Sequence, residues 1–109
     1  MNVQDELLDL DDVRLHYRDW TGPAEASATL LLLHGLTAHA RQWDSFAAEM
    51  SRYCRVIAPD LRGHGESQWA DAYDLDTQVG DVRAMVAALG VDNVTLVGQS
   101  LGGSIAIRY

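Results

Sequence analysis

Two short apolar runs, residues 29–33 and 55–58, and a further strand-like segment at 91–97 alternate with stretches whose apolar residues recur at helical spacing, and this alternation constrains the fold more than any other feature. An apolar run without polar alternation reads as a strand covered on both faces, as in a parallel sheet. Strand and helix taking turns from residue 29 onward imply an α/β chain with a parallel sheet and right-handed crossovers.

The helical stretches carry their own signals. Trp43, Phe46, Ala47 and Met50 recur at helical spacing after the first run. Leu75, Val79, Val82, Val86 and Leu89 mark one face of a longer amphipathic helix, with Asp74 placed to cap its start and Gly90 its end. Gly80 inside it costs about 1 kcal/mol relative to Ala, which five apolar positions in register outweigh. Residues 59–72, with Pro59, Gly63 and Gly65, read as a loop. Leu101–Tyr109 opens a further helix. Ahead of these units, Glu6–Leu10 and Val13–Trp20 alternate partially and are joined by Asp11 and Asp12, so residues 6–20 are expected to form an antiparallel hairpin at a sheet edge.

The formal charge of −8 and a pI near 4.6 argue against nucleic acid or an anionic membrane surface as partner, because both require a basic face. Residues 1–5 lack the positive charge and following apolar stretch of a secretory signal, so a cytoplasmic protein is the default expectation. Cys54 is the sole cysteine, which excludes an internal disulfide and a cysteine-based metal site. Its expected role is a small apolar residue entering a buried strand.

The strongest chemical signal is Gly98-Gln99-Ser100-Leu101-Gly102-Gly103, a G-x-S-x-G pattern. Chance alone produces the bare pattern in roughly 3% of chains of this length, so its context decides. Here it lies between an apolar strand and a helix, where a sharp strand-to-helix turn lifts a serine hydroxyl clear of the sheet. Gly98 and Gly102 leave room around such a strained turn, while Gly103 and Ala106 allow close packing of the helix. The plainer role for Ser100 is a helix cap. A serine hydroxyl needs a base to act as nucleophile, and the oxyanion it creates needs preorganised donors. The backbone N–H of Leu101, at a helix N-terminus, is placed to be one.

The second donor is suggested by His34-Gly35-Leu36, directly after the strand at 29–33. With this turn, the chain resembles the α/β-hydrolase superfamily, in which an HG-x turn supplies an oxyanion-hole N–H from its third residue, here Leu36. Asp60-Leu61-Arg62-Gly63-His64-Gly65-Glu66-Ser67 is similar to the family's D-x-R-G-x-G-x-S loop. The resemblance implies a mostly parallel α/β-hydrolase sheet with an N-terminal antiparallel hairpin. Residues 1–109 would be the N-terminal portion of one such domain, with strand–helix units at 29–109, ending after the nucleophile elbow and without the cap and C-terminal part.

The same resemblance implies a serine hydrolase acting through an acyl-enzyme on a carboxylic ester or related small acyl substrate, with no cofactor and no metal. Ser100 would be the nucleophile, Leu36 and Leu101 the oxyanion donors, and His34, Gly35, Gly98, Gln99 and Gly102 would shape the site. Gly35 and Gly102 are expected to reject bulky side chains, activity falling more than stability. His34 is expected to brace the oxyanion turn by hydrogen bonding, and Asp60 and Arg62 to hold their loop rather than touch substrate. Trp43, Phe46 and Trp69 could line a pocket, though core or cap contacts are the plainer role.

None of the four histidines, His16, His34, His39 and His64, matches the family's catalytic position. His16 reads simply as a residue of an edge strand. The family order places acid and histidine after the nucleophile, and only residues 101–109 follow Ser100, so this chain alone is expected to be inactive. The strand at 91–97 would then keep an unpaired edge that invites self-association. Two other classes stand beside the enzyme: a non-catalytic hydrolase fragment with a binding role or none, and a nucleotide-binding module. The latter is opposed by the absence of a lysine in the glycine-rich stretch and by its mismatch to G-x-G-x-x-G.

Overall fold

The computed structural model describes residues 3–109. A hairpin of β1 (Val3–Asp9) and β2 (Arg14–Trp20) precedes β3 (Thr29–Leu33), a single 3₁₀ turn (Ala40–Trp43), α1 (Asp44–Met50), β4 (Arg55–Pro59), α2 (Leu75–Leu89), β5 (Val94–Gly98) and α3 (Leu101–Arg108). The five strands lie in the order β1-β2-β4-β3-β5. β3 runs parallel to both β4 and β5, whereas β2 is antiparallel to β1 and β4. The hairpin therefore sits at the sheet edge as expected, but only β1 is the edge strand.

Successive residues of a strand point to opposite faces, and the run Leu31-Leu32-Leu33 uses this fully. Leu31 and Leu33 join Ile57, Val82, Met85 and Ile105 under α2 and α3. Leu32 joins Trp20, Ala47, Cys54 and Val56 under α1. Both faces are covered, which explains the apolar runs. Cys54 is buried, as its apolar reading implied. In register, Leu33 lies opposite Gly98, so the segments that leave β3 and β5 emerge side by side at the carboxyl ends of the strands. In open α/β sheets this is where ligands bind.

The apolar stripe of α2 faces the core as expected: Val79 and Val82 are buried, with Leu75, Val86 and Leu89 packed partly buried beside them, and Met85 joins the same face. The face also includes polar positions that the stripe does not mark, Gln78 and Asp81: Arg62, 1% exposed, forms a two-pronged ion pair with Asp81 (Nε–Oδ2 2.7 Å, Nη2–Oδ1 2.8 Å). Apolar periodicity cannot register such a position. The helix ends are as read, with Asp74 accepting the Thr77 N–H and Gly90 at φ 62°.

β5 begins at Val94 instead of Val91, because Asn93 adopts φ 53° and breaks the extended run. Asn tolerates this left-handed conformation better than most residues. The strand is only half-buried, since among the described residues it pairs with β3 alone. No helix of the described residues is long and apolar enough to cross a membrane.

Candidate active site

β5 ends at Gly98, and two residues later Ser100 takes φ 56° and ψ −115°, a conformation outside the regions that side-chain-bearing residues favour. Its side chain makes no capping hydrogen bond to α3. The plainer reading of Ser100 as a helix cap therefore has no bond to support it.

The sharp turn exists because glycine permits it. A Cβ on Gly98 would stand 2.3 Å from the backbone of Gly102, and one on Gly102 would stand 2.0 Å from the Leu33 carbonyl oxygen. Both conflicts are with backbone, which cannot step aside. Two hydrogen bonds hold the approach, Gln99 N–H to Leu33 O and Gly102 N–H to His34 O, each 3.1 Å. Gly103 is different: a Cβ there would meet only ordinary contacts, 3.5 Å from Gly98 O, so close packing does not require glycine at 103.

The turn after β3 arrives beside the serine. A Cβ on buried Gly35 would lie 3.3 Å from Ser100 Cβ and 3.9 Å from its Oγ. Leu36 is exposed, and no acceptor among the described residues takes its N–H. Leu101, at the first position of α3, has no acceptor within the helix for its own N–H. The Gln99 side chain accepts from Gln42 Nε2 at 2.6 Å on the exposed rim.

His34 is wholly buried behind this turn. Its Nε2 accepts the Leu61 N–H at 3.0 Å, so Nδ1 carries the proton and donates to Gly35 O at 2.7 Å. Burial holds its pKa below the ordinary 6.5, in keeping with that neutral tautomer. His64, read only as a loop residue, is a second clasp: it reaches Leu36 O through Nε2 and Arg62 O through Nδ1. The rings of His34 and His64 lie 5.0 Å apart.

The neutral state of His34 gives a prediction. His34→Phe removes the acceptor of a buried N–H and is expected to lower unfolding free energy by about 1–3 kcal/mol at mildly alkaline pH. Because the folded pKa lies below the unfolded one, this stabilisation is present above about pH 6.5 and is lost as pH falls through the folded value. The gap between parent and variant in urea unfolding should narrow accordingly. Equal stability at all pH would contradict the bracing role.

Asp60 and Arg62 both point into the protein. The Asp60 carboxylate, 2% exposed, accepts the N–H groups of Ala40 (2.7 Å) and Glu66 (2.9 Å) and faces His16 Nδ1 at 2.7 Å. Gly65, at φ 51°, is needed because a Cβ there would fall 2.3 Å from Asp60 Cγ. Arg62 also bonds Asp12 and the Ala72 carbonyl, and its hydrogen bond to Asp81 raises its pKa beyond the ordinary value. His16, Asp60 and Glu66 bring potential metal ligands together, yet both ring nitrogens of His16 and both oxygens of Asp60 are already in hydrogen bonds.

His16 is the residue that sequence reasoning undervalued, since β2 is not the edge and the ring is 3% exposed. Its partner Asp60 is 44 residues away, and the only local hint is a polar residue flanked by Leu15 and Tyr17. The aromatic residues divide: Trp43 packs against the core under α1, while Phe46 and Trp69 are exposed, Trp69 by 81%.

Residues 30–109 match the family model described as Alpha/beta hydrolase family. A 3-hydroxybutyrate-oligomer hydrolase of Cupriavidus necator is 35% identical over 97 residues, covering 86% of this chain and 33% of its own. A non-heme chloroperoxidase of Burkholderia pyrrocinia is 38% identical over 101 residues, covering 91% and 36%. Among solved structures, a bacterial membrane phospholipase A superposes with a TM-score of 0.91 at 34% identity, covering 99% of this chain and 35% of that one. Proteins named as lipase, methylesterase and epoxide hydrolase also match. The chain spans a quarter to about a third of the length of its curated relatives.

Proposed function

The chain belongs to the α/β hydrolase family, and from that membership we propose that it supplies the nucleophile, Ser100, of a hydrolase that cleaves a carboxylic ester through an acyl-enzyme. The observation that carries this reading is the strained, uncapped Ser100 at the strand-to-helix turn. Strain of this kind costs on the order of 1–3 kcal/mol and persists where function needs it.

In the proposed reaction Ser100 Oγ attacks the ester carbonyl and forms a tetrahedral intermediate, whose oxyanion takes hydrogen bonds from the N–H groups of Leu36 and Leu101. A general base takes the serine proton and returns it to the leaving alcohol. Water then attacks the acyl-enzyme, releasing the acid and restoring Ser100. His34 cannot be that base, because its Nε2 lone pair is engaged by the Leu61 N–H. A serine at this position also separates the proposal from relatives by structure named as a haloalkane dehalogenase and epoxide hydrolases, since alkyl-enzyme chemistry of the family's kind uses an aspartate there.

A shared acyl-enzyme has a signature independent of which step is slow. For a full-length hydrolase carrying this segment, p-nitrophenyl and phenyl esters of one acid, hydrolysed with methanol present, should give the same ratio of methyl ester to free acid. A ratio that changes with the leaving group would exclude a common intermediate.

A further inference from the structure

Asp60 ties together the segments that surround the candidate site. Its carboxylate holds Ala40 at the start of the 3₁₀ turn and Glu66 in the loop after β4, and the next residue, Leu61, donates to His34. The His34 carbonyl in turn accepts from Gly102 behind Ser100. The Asp60 segment is thus tied to the 3₁₀ turn and the 60–67 loop by its carboxylate, and through Leu61 and His34 to the backbone of Gly102.

The other side of Asp60 is His16. Its Nδ1 lies 2.7 Å from Asp60 Oδ2, its Nε2 lies 2.8 Å from Asp5 Oδ1, and Glu66 Oε2 is 3.8 Å from Nε2. The charged groups beyond are Arg18, which bonds Asp5 at 2.9 Å, and Arg41, 4.0 Å from the same carboxylate. Ionised carboxylates only accept, so both short contacts can be hydrogen bonds at once only if the ring is an imidazolium. Among the described residues His16 is the one side chain able to carry a positive charge within ion-pair distance of Asp60.

We propose that protonated His16 is a positioning residue for the hydrolytic reaction: as counter-ion of the buried Asp60 carboxylate it fixes the 3₁₀ turn and the 60–67 loop against the His34–Leu36 turn. Resting on the assignment of Ser100 above, loss of the His16 proton loosens that turn and lowers turnover, although His16 touches no substrate. A neutral ring leaves a nitrogen lone pair facing a carboxylate oxygen at under 3 Å, and Asp60 loses its counter-charge. Burial acts against the imidazolium, but the hydrogen bonds to Asp60 and Asp5 outweigh it and raise the pKa above 6.5. The folded pKa thus exceeds the unfolded one. The stabilisation is complete below about pH 6.5 and disappears as pH rises through the folded value. A serine hydrolase whose base must be neutral loses activity on the acid side, so this loss falls on the opposite, alkaline limb.

The test uses a full-length hydrolase carrying this segment and a p-nitrophenyl ester. Nitrogen-15 NMR of the His16 ring should give a midpoint above 6.5, and kcat should decline through the same midpoint with KM unchanged. Asp5→Asn, at a half-exposed position, should move both midpoints down together. His16→Gln should lower kcat about tenfold, within the ~10²-fold that a 1 Å misplacement can cost, and should abolish the alkaline limb. A limb that persists in His16→Gln or ignores Asp5→Asn would overturn the proposal, as would a His16 midpoint at or below 6.5. If Ser100→Ala kept full turnover, the nucleophile assignment would fall, and hydrogen exchange of the Ala40 and Glu66 amides would still decide the role of His16. Exchange that accelerates above the His16 midpoint supports it, and exchange independent of that midpoint refutes it.

Discussion

Replacing Ser100 by alanine is expected to lower kcat/KM for an activated ester more than about 10³-fold in a full-length hydrolase carrying this segment, while leaving stability unchanged. Alanine has the same Cβ and suffers the same strain at φ 56°, so the substitution removes the hydroxyl and little else. The side chain makes no capping bond whose loss would unfold α3. Ser100→Gly sharpens the comparison, because glycine adopts this conformation without penalty and the variant should be at least as stable as the parent yet equally inactive. Steady-state kinetics beside urea unfolding would decide. Near-normal turnover by Ser100→Ala would remove the residue from the mechanism.

The second large effect belongs to Gly102. Adding one methyl group as Gly102→Ala brings Cβ to 2.0 Å from Leu33 O and 2.4 Å from Leu33 C, so α3 has to move off β3. That shift breaks the hydrogen bond from Gly102 N–H to His34 O and carries Ser100 away from the turn at Gly35. Activity should fall by more than about 10²-fold, and unfolding free energy by about 3 kcal/mol or more. Because the conflict lies in the packing of helix on strand, stability is expected to fall together with activity. Gly103→Ala is the control: its Cβ has room, and alanine inside a helix is favoured over glycine by up to about 1 kcal/mol. Equal behaviour of the two variants would contradict this account of the elbow.

What could be read from sequence was whatever a local pattern encodes. The parallel strands show as apolar runs because both faces of Leu31–Leu33 are covered, and the elbow shows because its glycines lie within five residues of one another. The caps of α2 are equally local. Pairings across long separations were not legible: Asp81 turns inward only because Arg62, 19 residues earlier, is buried beside it. His16 acquires its place from Asp60 and Asp5, which the sheet order brings together through β2. β5 starts at Val94 rather than Val91 because Asp92 and Asn93 are turn-forming and Asn93 takes φ 53°, a local signal that a strand reading from Val91 overrides.

Fluorophosphonates react with a serine only when its hydroxyl is activated and its oxyanion site is formed, so covalent labelling tests the central claim most directly. Peptide mass spectrometry of a labelled full-length hydrolase carrying this segment should place the adduct on Ser100, with none in Ser100→Ala. Labelling of a different residue, or adduct formation undiminished in Ser100→Ala, would contradict the assignment of Ser100 as the nucleophile.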